Sequence, residues 1–280
     1  DDVAINIHMN NNARFKPIGT YEGSVGYGDD WLYQASGAGM LFKPKFQTIA
    51  TLKIGNVHSF ASDEAASLFG GIEEESKAEK LMGNLSTSTP PLDQDRYASP
   101  AERMFSVNFI QKITETATLR GNVDYSYSKS QYDYDIQRNF YDGDENIIID
   151  QGINSLSASH APSFSIVYKN NASTSYLNNS LFGKATFLRN DLPTTENGQA
   201  LMQQQSMRDY YVGNNFSYSW RRKKLRWRLS SSVLLFNTPQ VRLTVTNEGN
   251  DIHQSANSLS FQTKNLLSAI YDFKNSRFYL

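Results

Sequence analysis

Long stretches of the chain alternate apolar and polar residues with a period of two. In the segment 118–128, one face carries Leu119, Val123, Tyr125 and Tyr127, and the other carries Arg120, Asn122, Asp124, Ser126 and Ser128. Such alternation indicates a β-strand whose two faces meet different surroundings. The pattern predicts ten strands and the start of an eleventh: Arg14–Tyr27, Leu32–Phe42, Phe46–Val57, Met104–Lys112, Thr118–Ser128, Ile153–Tyr168, Tyr176–Leu188, Val212–Trp220, Leu225–Phe236, Leu259–Phe273 and Arg277–Leu280.

The connections between these segments are of two kinds that alternate along the chain. The short ones all carry Lys or Arg: Lys43–Lys45, Lys112–Glu115, Lys169–Ala172, Arg221–Lys224 and Lys274–Ser276. The others are long, apart from Gly28–Trp31: Ser59–Arg103, Tyr141–Gly152, Asn190–Arg208 and Thr238–Asn257. A meander places alternate connections on opposite sides of the sheet. Short turns on one side and long loops on the other are typical of outer-membrane β-barrels.

We therefore predict an all-β fold, an antiparallel up-and-down transmembrane β-barrel, of which this chain forms a partial barrel of about 10–11 long strands. The segment Asp63–Gly83 departs from the alternation. Its apolar spacing and a Glu73/Lys77 pair favour a short amphipathic helix within the longest loop, residues 59–103.

A soluble all-β sandwich, propeller or lectin-like domain would also alternate apolar and polar residues. Three features favour the membrane instead. The segments are longer than the ~5–6 residues usual in globular sheets. Tyr and Trp stand at the ends of the apolar faces, as in an interfacial belt. The connections also separate by length and charge. Polar inner faces favour a wide barrel with a water-filled or plugged lumen.

The composition excludes several classes of protein. Mean hydropathy is −0.53, and no run of apolar residues is long enough for a transmembrane helix, whereas spanning strands need apolar residues only at alternate positions. The chain has no Cys, which excludes disulfides and thiolate chemistry. The net charge of −1 does not favour nucleic-acid binding. Because the sequence starts at Asp1 without Met, we expect it to begin downstream of any targeting segment.

The first residues resemble part of a known family. Asp1–Ile7, read D-D-V-A-I-N-I, resembles the segment of TonB-dependent receptors in which the last plug strand leads into the barrel. Ile18–Gly28 is similar to the Gly- and aromatic-rich first barrel strand of that family. The long loop after the third strand is similar to the Bacteroidetes type of these receptors. The resemblance extends over essentially the whole chain.

The resemblance implies a barrel of about 22 strands around a plug. Residues 1–12 would then be the last plug strand and a linker, and residues 13–280 a partial barrel. Most of the plug, the TonB box and the later strands are expected outside this chain. Basic turns would face the periplasm and long loops the exterior of a Gram-negative cell. The implied function is energised, plug-gated uptake of an extracellular ligand of unknown class, without a cofactor.

The resemblance also implies partners, namely outer-membrane lipid, lipopolysaccharide and the TonB complex, which would act through the plug. Two other functions stay open from the sequence. One is a non-transporting outer-membrane barrel, either a passive porin or an envelope assembly component. The other is a soluble β-rich binding protein.

No motif predicts an enzyme, and we predict no catalytic, cofactor-binding or metal site. The histidines, His8, His58, His160 and His253, do not pair at metal-ligand spacing. Ser157–His160 is reminiscent of an outer-membrane serine lipase, but alternation puts the adjacent Ser159 and His160 on opposite faces. Substrate-binding residues stay unknown.

Three charged segments are predicted to be solvated. Asp142–Asn146 clusters oxygen ligands but lacks the spacing and distal Glu of an EF-hand. The acidic loop 59–103 could bind divalent cations that bridge lipopolysaccharide, or simply keep the loop soluble. Arg221–Lys224 lies in a turn between two strands without a groove-filling helix, which argues against nucleic acid.

Overall fold

The sheet is one continuous antiparallel meander. A computed structural model describes residues 16–28, 30–57, 81–83, 85, 92, 99–142, 145–247, 250–272 and 277–279. These residues form eleven strands: β1 Lys16–Tyr27, β2 Trp31–Lys43, β3 Phe46–Gly55, β4 Ser99–Lys112, β5 Ala117–Asp142, β6 Glu145–Asn171, β7 Ser175–Glu196, β8 Gln199–Arg222, β9 Leu225–Asn247, β10 Asn250–Asp272 and β11 Arg277–Tyr279.

Every strand pairs with its neighbours in chain order, from β1 to β11. Among the described residues β1 and β11 do not pair with each other, so the sheet is an open arc with two edges. The predicted fold class, an up-and-down antiparallel partial barrel, is therefore confirmed. Within the same residues, no helix has the length and apolar character needed to cross a membrane.

The predicted long loops are mostly wrong. Strand β6 already begins at Glu145, β7 continues to Glu196, and β9 continues to Asn247, so Tyr141–Gly152, Asn190–Arg208 and Thr238–Asn257 consist largely of paired strand. The loop 59–103 ends earlier than predicted because β4 begins at Ser99. Several of these extensions break the alternation, as at Ile147–Ile149, and the run Val241–Thr246 alternates in a phase that is shifted against the rest of β9. Backbone pairing itself requires no alternation.

The hairpin of β7 and β8 closes on a two-residue turn. Asn197 and Gly198 both have positive φ, at 49° and 82°. Asn-Gly in this conformation is the preferred pair for a tight hairpin, because both residues tolerate the left-handed region. The dipeptide therefore predicts a hairpin at the end of the extended strands. Alternation of apolar and polar residues does not include this signal.

The two faces of the sheet differ in polarity. In β5, Val123 is 53% exposed while its neighbour Asp124 is 5% exposed. The same contrast in β8 separates Val212, at 46%, from Gln205, at 2%. Side chains crowd on the concave face of a curved sheet and spread apart on the convex face. The predicted arrangement, apolar residues outside and polar residues inside, is therefore confirmed for β5 and for these two positions of β8.

Strand β9 reverses its faces near its middle. Gln240 pairs with Arg208, whereas Asn237 pairs with Tyr210, so β9 contains one additional residue at Thr238–Pro239. Pro cannot donate a ladder hydrogen bond and is tolerated at such a bulge. Phe236, Thr238 and Val241 are consequently all buried, at 2%, 1% and 0% exposure, although Val241 would otherwise face outward.

The four short basic turns that the structure describes lie together at one end of the sheet. In the turn between β4 and β5, Lys112 Nζ lies 2.9 Å from Glu115 Oε2. This contact holds the pKa of the exposed Glu115 carboxyl below its ordinary value. Of the predicted helix Asp63–Gly83, only residues 81–83 are described, and Leu81 and Met82 have helical backbone.

Candidate functional site

The concave face of β4 and β5 carries a ladder of polar side chains. Asn108 Nδ2 donates to Ser106 Oγ at 3.0 Å, and Asn122 Nδ2 donates to Asn108 Oδ1 across the strand pair. Asn122 Nδ2 also lies 3.3 Å from Asp124 Oδ1. Alternation places these residues on one face, and the register of β4 and β5 aligns them.

Part of this ladder buries polar atoms without hydrogen-bond partners. Asn122 Oδ1, Asp124 Oδ2 and Ser163 Oγ are buried, and none has a hydrogen-bond partner among the described residues. Asp124 and Ser163 are register partners on β5 and β6, so the three atoms belong to one region. A buried acceptor without a donor costs roughly 1–3 kcal/mol.

A segment of the β3–β4 connection docks on the concave face of β8. Gln205 Nε2 donates to the Gly83 carbonyl at 2.7 Å, and Leu85 N donates to Gln205 Oε1 at 3.1 Å. The side-chain amide therefore pairs with the backbone of Gly83 and Leu85 much as a neighbouring strand would. Asn190 Nδ2 also donates to Gln205 Oε1, at 3.2 Å. We call Gln205 with Gly83 and Leu85 the docking site.

Apolar contacts accompany the docking site. Met82 and Leu188 pack against a buried pair, Met207 and Val241. Beside it, Asp209 Oδ1 accepts a 2.7 Å hydrogen bond from Thr238 Oγ1, and both residues are buried. Met82, Gly83 and Leu85 of the connection are thus held on the sheet by both hydrogen bonds and apolar burial.

The concave face is less uniformly polar than the sequence predicted. Phe182, Leu234 and Phe236 form a buried cluster there, and Tyr211 packs against it. The residues come from the adjacent strands β7, β8 and β9. Gly213 lies beneath them, where an added Cβ would stand 2.5 Å from Phe182 Cζ and 2.6 Å from Leu234 Cδ1. The prediction of an inner face without an apolar layer is therefore wrong for these strands.

The structure separates the candidate Ser and His residues. Ser157 Oγ faces the concave side and donates to Asn190 Oδ1 at 2.8 Å. His160 faces outward, where its Nδ1 lies 2.8 Å from the Tyr125 hydroxyl oxygen. The geometry thus agrees with the expectation that Ser159 and His160 lie on opposite faces.

The other candidates do not converge on a site. His253 Nδ1 lies 3.1 Å from Thr244 Oγ1 on the exposed β9–β10 extension. The described parts of Arg221–Lys224 form an exposed turn. His8, His58 and the side chains of Asp142–Asn146 lie outside the residues that can be described. In the described part of the chain, no three His, Asp or Glu side chains are grouped as a metal site requires.

Sequence reasoning did not identify Gln205 or the apolar cluster. Gln205 is about 120 positions from Gly83 and Leu85 in the chain, and nothing local marks them as partners. The cluster likewise depends on which strand positions face each other across three strands. Such neighbours are decided by register, which alternation within one strand does not contain.

Comparisons with known proteins agree with the architecture. No protein-family model matches the sequence, and no curated protein matches it. The ferric yersiniabactin uptake receptor FyuA from Yersinia pestis has a similar structure, with a TM-score of 0.54 and 11% identity over 94% of this chain. OpdK from Pseudomonas aeruginosa, solved with vanillate, gives a TM-score of 0.11 at 8% identity, covering 89% of this chain and 97% of OpdK. That TM-score is too low to indicate a shared fold. This chain spans 41% of the length of FyuA, and its sheet has the fold of part of that receptor's barrel.

Proposed function

We propose that this chain forms part of the wall of a TonB-dependent, plug-gated receptor in the outer membrane of a Gram-negative bacterium. The receptor takes up an extracellular ligand and is not an enzyme. In this proposal residues 1–12 end the plug, and residues 13–280 belong to the barrel. The long β3–β4 connection supports a receptor of the Bacteroidetes type.

The outer face supports a membrane location. On β8 an outward apolar and aromatic zone extends from Tyr210 to Trp220, with Asn214 within it, and Trp220 stacks on Trp227 at 5.8 Å between ring centroids. That zone is about ten residues long, which is the length of strand that crosses a bilayer. The next outward position is basic on both sides, Arg208 at one end and Arg222 at the other. Aromatic residues at both ends of an apolar band are typical of membrane barrels.

The concave face of the sheet supports the proposal that the receptor contains a plug. It is an open arc with an apolar cluster on its inner side. A water-filled pore would not need an apolar cluster on its inner wall. Such a cluster suits a wall that encloses a folded plug. The similarity to an uptake receptor that is more than twice as long supports the same conclusion.

The test uses the protein expressed from its complete reading frame and purified in detergent. We expect it to bind the isolated periplasmic domain of TonB and to give no steady conductance in a planar lipid bilayer. A stable open conductance without TonB binding would support a passive porin and overturn the proposal. A folded, monodisperse protein without detergent would overturn the membrane location itself.

A further inference from the structure

The outer face contains an apolar groove of about 450 Å³ near the end of the apolar zone. Small residues form its floor, Gly183 and Ala185 on β7, and larger residues such as Phe164, Tyr210 and Val212 form its rim. The ring of Phe164 leans over Gly183, where an added Cβ would lie 2.7 Å from Phe164 Cε1. The groove is therefore a consequence of two small residues between aromatic strands.

A row of outward positions that carries three cations lies directly beyond this groove. Lys129, Ala158, Arg189, Ser206 and Arg242 are successive register partners from β5 to β9, and all face outward. Arg208 lies one outward position nearer the groove, two residues along the strand from its rim residue Tyr210. At about 3.4 Å per residue, this places Arg208 roughly 7 Å from the rim.

The row has an excess of positive charge. Asp191 accepts from Arg189 Nε at 2.8 Å, but the Arg189 side chain is 68% exposed and keeps its terminal NH₂ groups as donors. No acidic side chain of the described residues lies within ion-pair distance of Lys129, Arg208 or Arg242. Acidic residues on this face, such as Asp133 and Asp251, occur farther toward the hairpin tips.

We infer that the groove and the row together bind one phosphorylated lipid of the outer leaflet. Its acyl chain would lie in the groove, and its anionic headgroup phosphate would contact Arg189 and Arg208. Arg binds phosphate through several donors at once, and cations at a membrane surface attract anionic headgroups. The inference rests on the membrane location in the proposed function, and it adds a lipid class and a position that the uptake function does not require.

The experiment measures lipid preference at two places on the outer face. Because the chain has no Cys, a single thiol introduced by Val212→Cys or Phe261→Cys can carry a fluorophore. Both positions lie at the same depth in the sheet, but only Val212 lines the groove. The protein from the complete reading frame is reconstituted with brominated phosphatidic acid or brominated phosphatidylcholine, and fluorescence quenching gives the relative affinity of each lipid.

We expect quenching at both positions and a preference of about tenfold for phosphatidic acid at Val212→Cys alone, since each surface cation contributes several-fold to binding an anionic headgroup. In the Val212→Cys background, Arg189→Gln with Arg208→Gln should abolish the preference, and the Lys substitutions should retain most of it. Arg221→Gln with Arg222→Gln, which removes two charges at the β8–β9 turn at the other end of the strands, should not change the lipid preference.

Two outcomes would overturn the inference in distinguishable ways. Quenching at both positions without a headgroup preference would exclude the lipid site and leave the membrane location intact. An absence of quenching at both would refute the membrane location as well. A preference that survives Arg189→Gln with Arg208→Gln would also exclude the assigned headgroup contacts.

Discussion

Replacing Gln205 with Ala should release the β3–β4 connection from the concave face while leaving the sheet folded. The side chain is buried and supplies both hydrogen bonds of the docking site, one to the Gly83 carbonyl and one from the Leu85 amide. Ala removes both partners and leaves these backbone groups to water. The apolar contact of Met82 with Met207 and Val241 remains, so the loss should be partial.

The size of the effect follows from these two bonds. Each contributes a net ~0.5–1.5 kcal/mol, so their loss should weaken docking by about 2 kcal/mol. That corresponds to a roughly 30-fold increase in the population of the undocked connection. The Leu85 amide should therefore exchange with deuterium about 30-fold faster in Gln205→Ala than in the parent protein, because exchange of a locally opened segment follows its opening free energy.

The assay is hydrogen–deuterium exchange with mass spectrometry on the peptide that contains residues 81–85. Gln204→Ala is the matched control, because Gln204 is the adjacent residue on the exposed, opposite face. Peptides from the middle of β8, around Gly213, report whether the wall itself stays intact. Unchanged exchange at Leu85 in Gln205→Ala, or an equal acceleration in Gln204→Ala, would refute the docking site.

Three further substitutions test the packing of the wall. Gly213→Ala should lower the free energy of unfolding in lipid vesicles by about 1–3 kcal/mol, because the added methyl group overlaps Phe182 and Leu234. Gly39→Ala is the control, since Gly39 has open space around it, and an equal effect of both substitutions would contradict the packing. Thr238→Val should lower the free energy of unfolding by about 1.5–3 kcal/mol, because it removes a buried hydrogen bond to the Asp209 carboxylate. Thr246→Val, which removes an exposed hydrogen bond to Asp251, should cost far less in the same measurement. Gly198→Ala should accelerate amide exchange at the β7–β8 hairpin tip, because Ala is strained at φ 82°, and unchanged exchange would refute a tight turn there.

The local pattern was sufficient for the middle part of most strands. Alternation over Thr118–Ser128 and Leu225–Phe236 reports which side chains share a face, since the period of a strand is two wherever it lies. The basic turns were equally local, as at Arg221–Lys224. The pattern failed in several hairpin extensions, because apolar residues stand next to one another there, as at Ile147–Ile149. It also could not anticipate the reversal of faces that the Thr238–Pro239 bulge introduces.

By itself, then, the sequence determined the middle parts of most strands, most of their faces and the fold class, all of which depend on neighbours within one strand. Tertiary structure alone decided what lies across strands. It placed Gln205 against Gly83 and Leu85 and gathered Phe182, Leu234 and Phe236 on a concave face expected to be polar. It also aligned the outward cations beside the groove. The physical reason is that register is fixed by hydrogen bonding between separate segments, and no single segment specifies its partner.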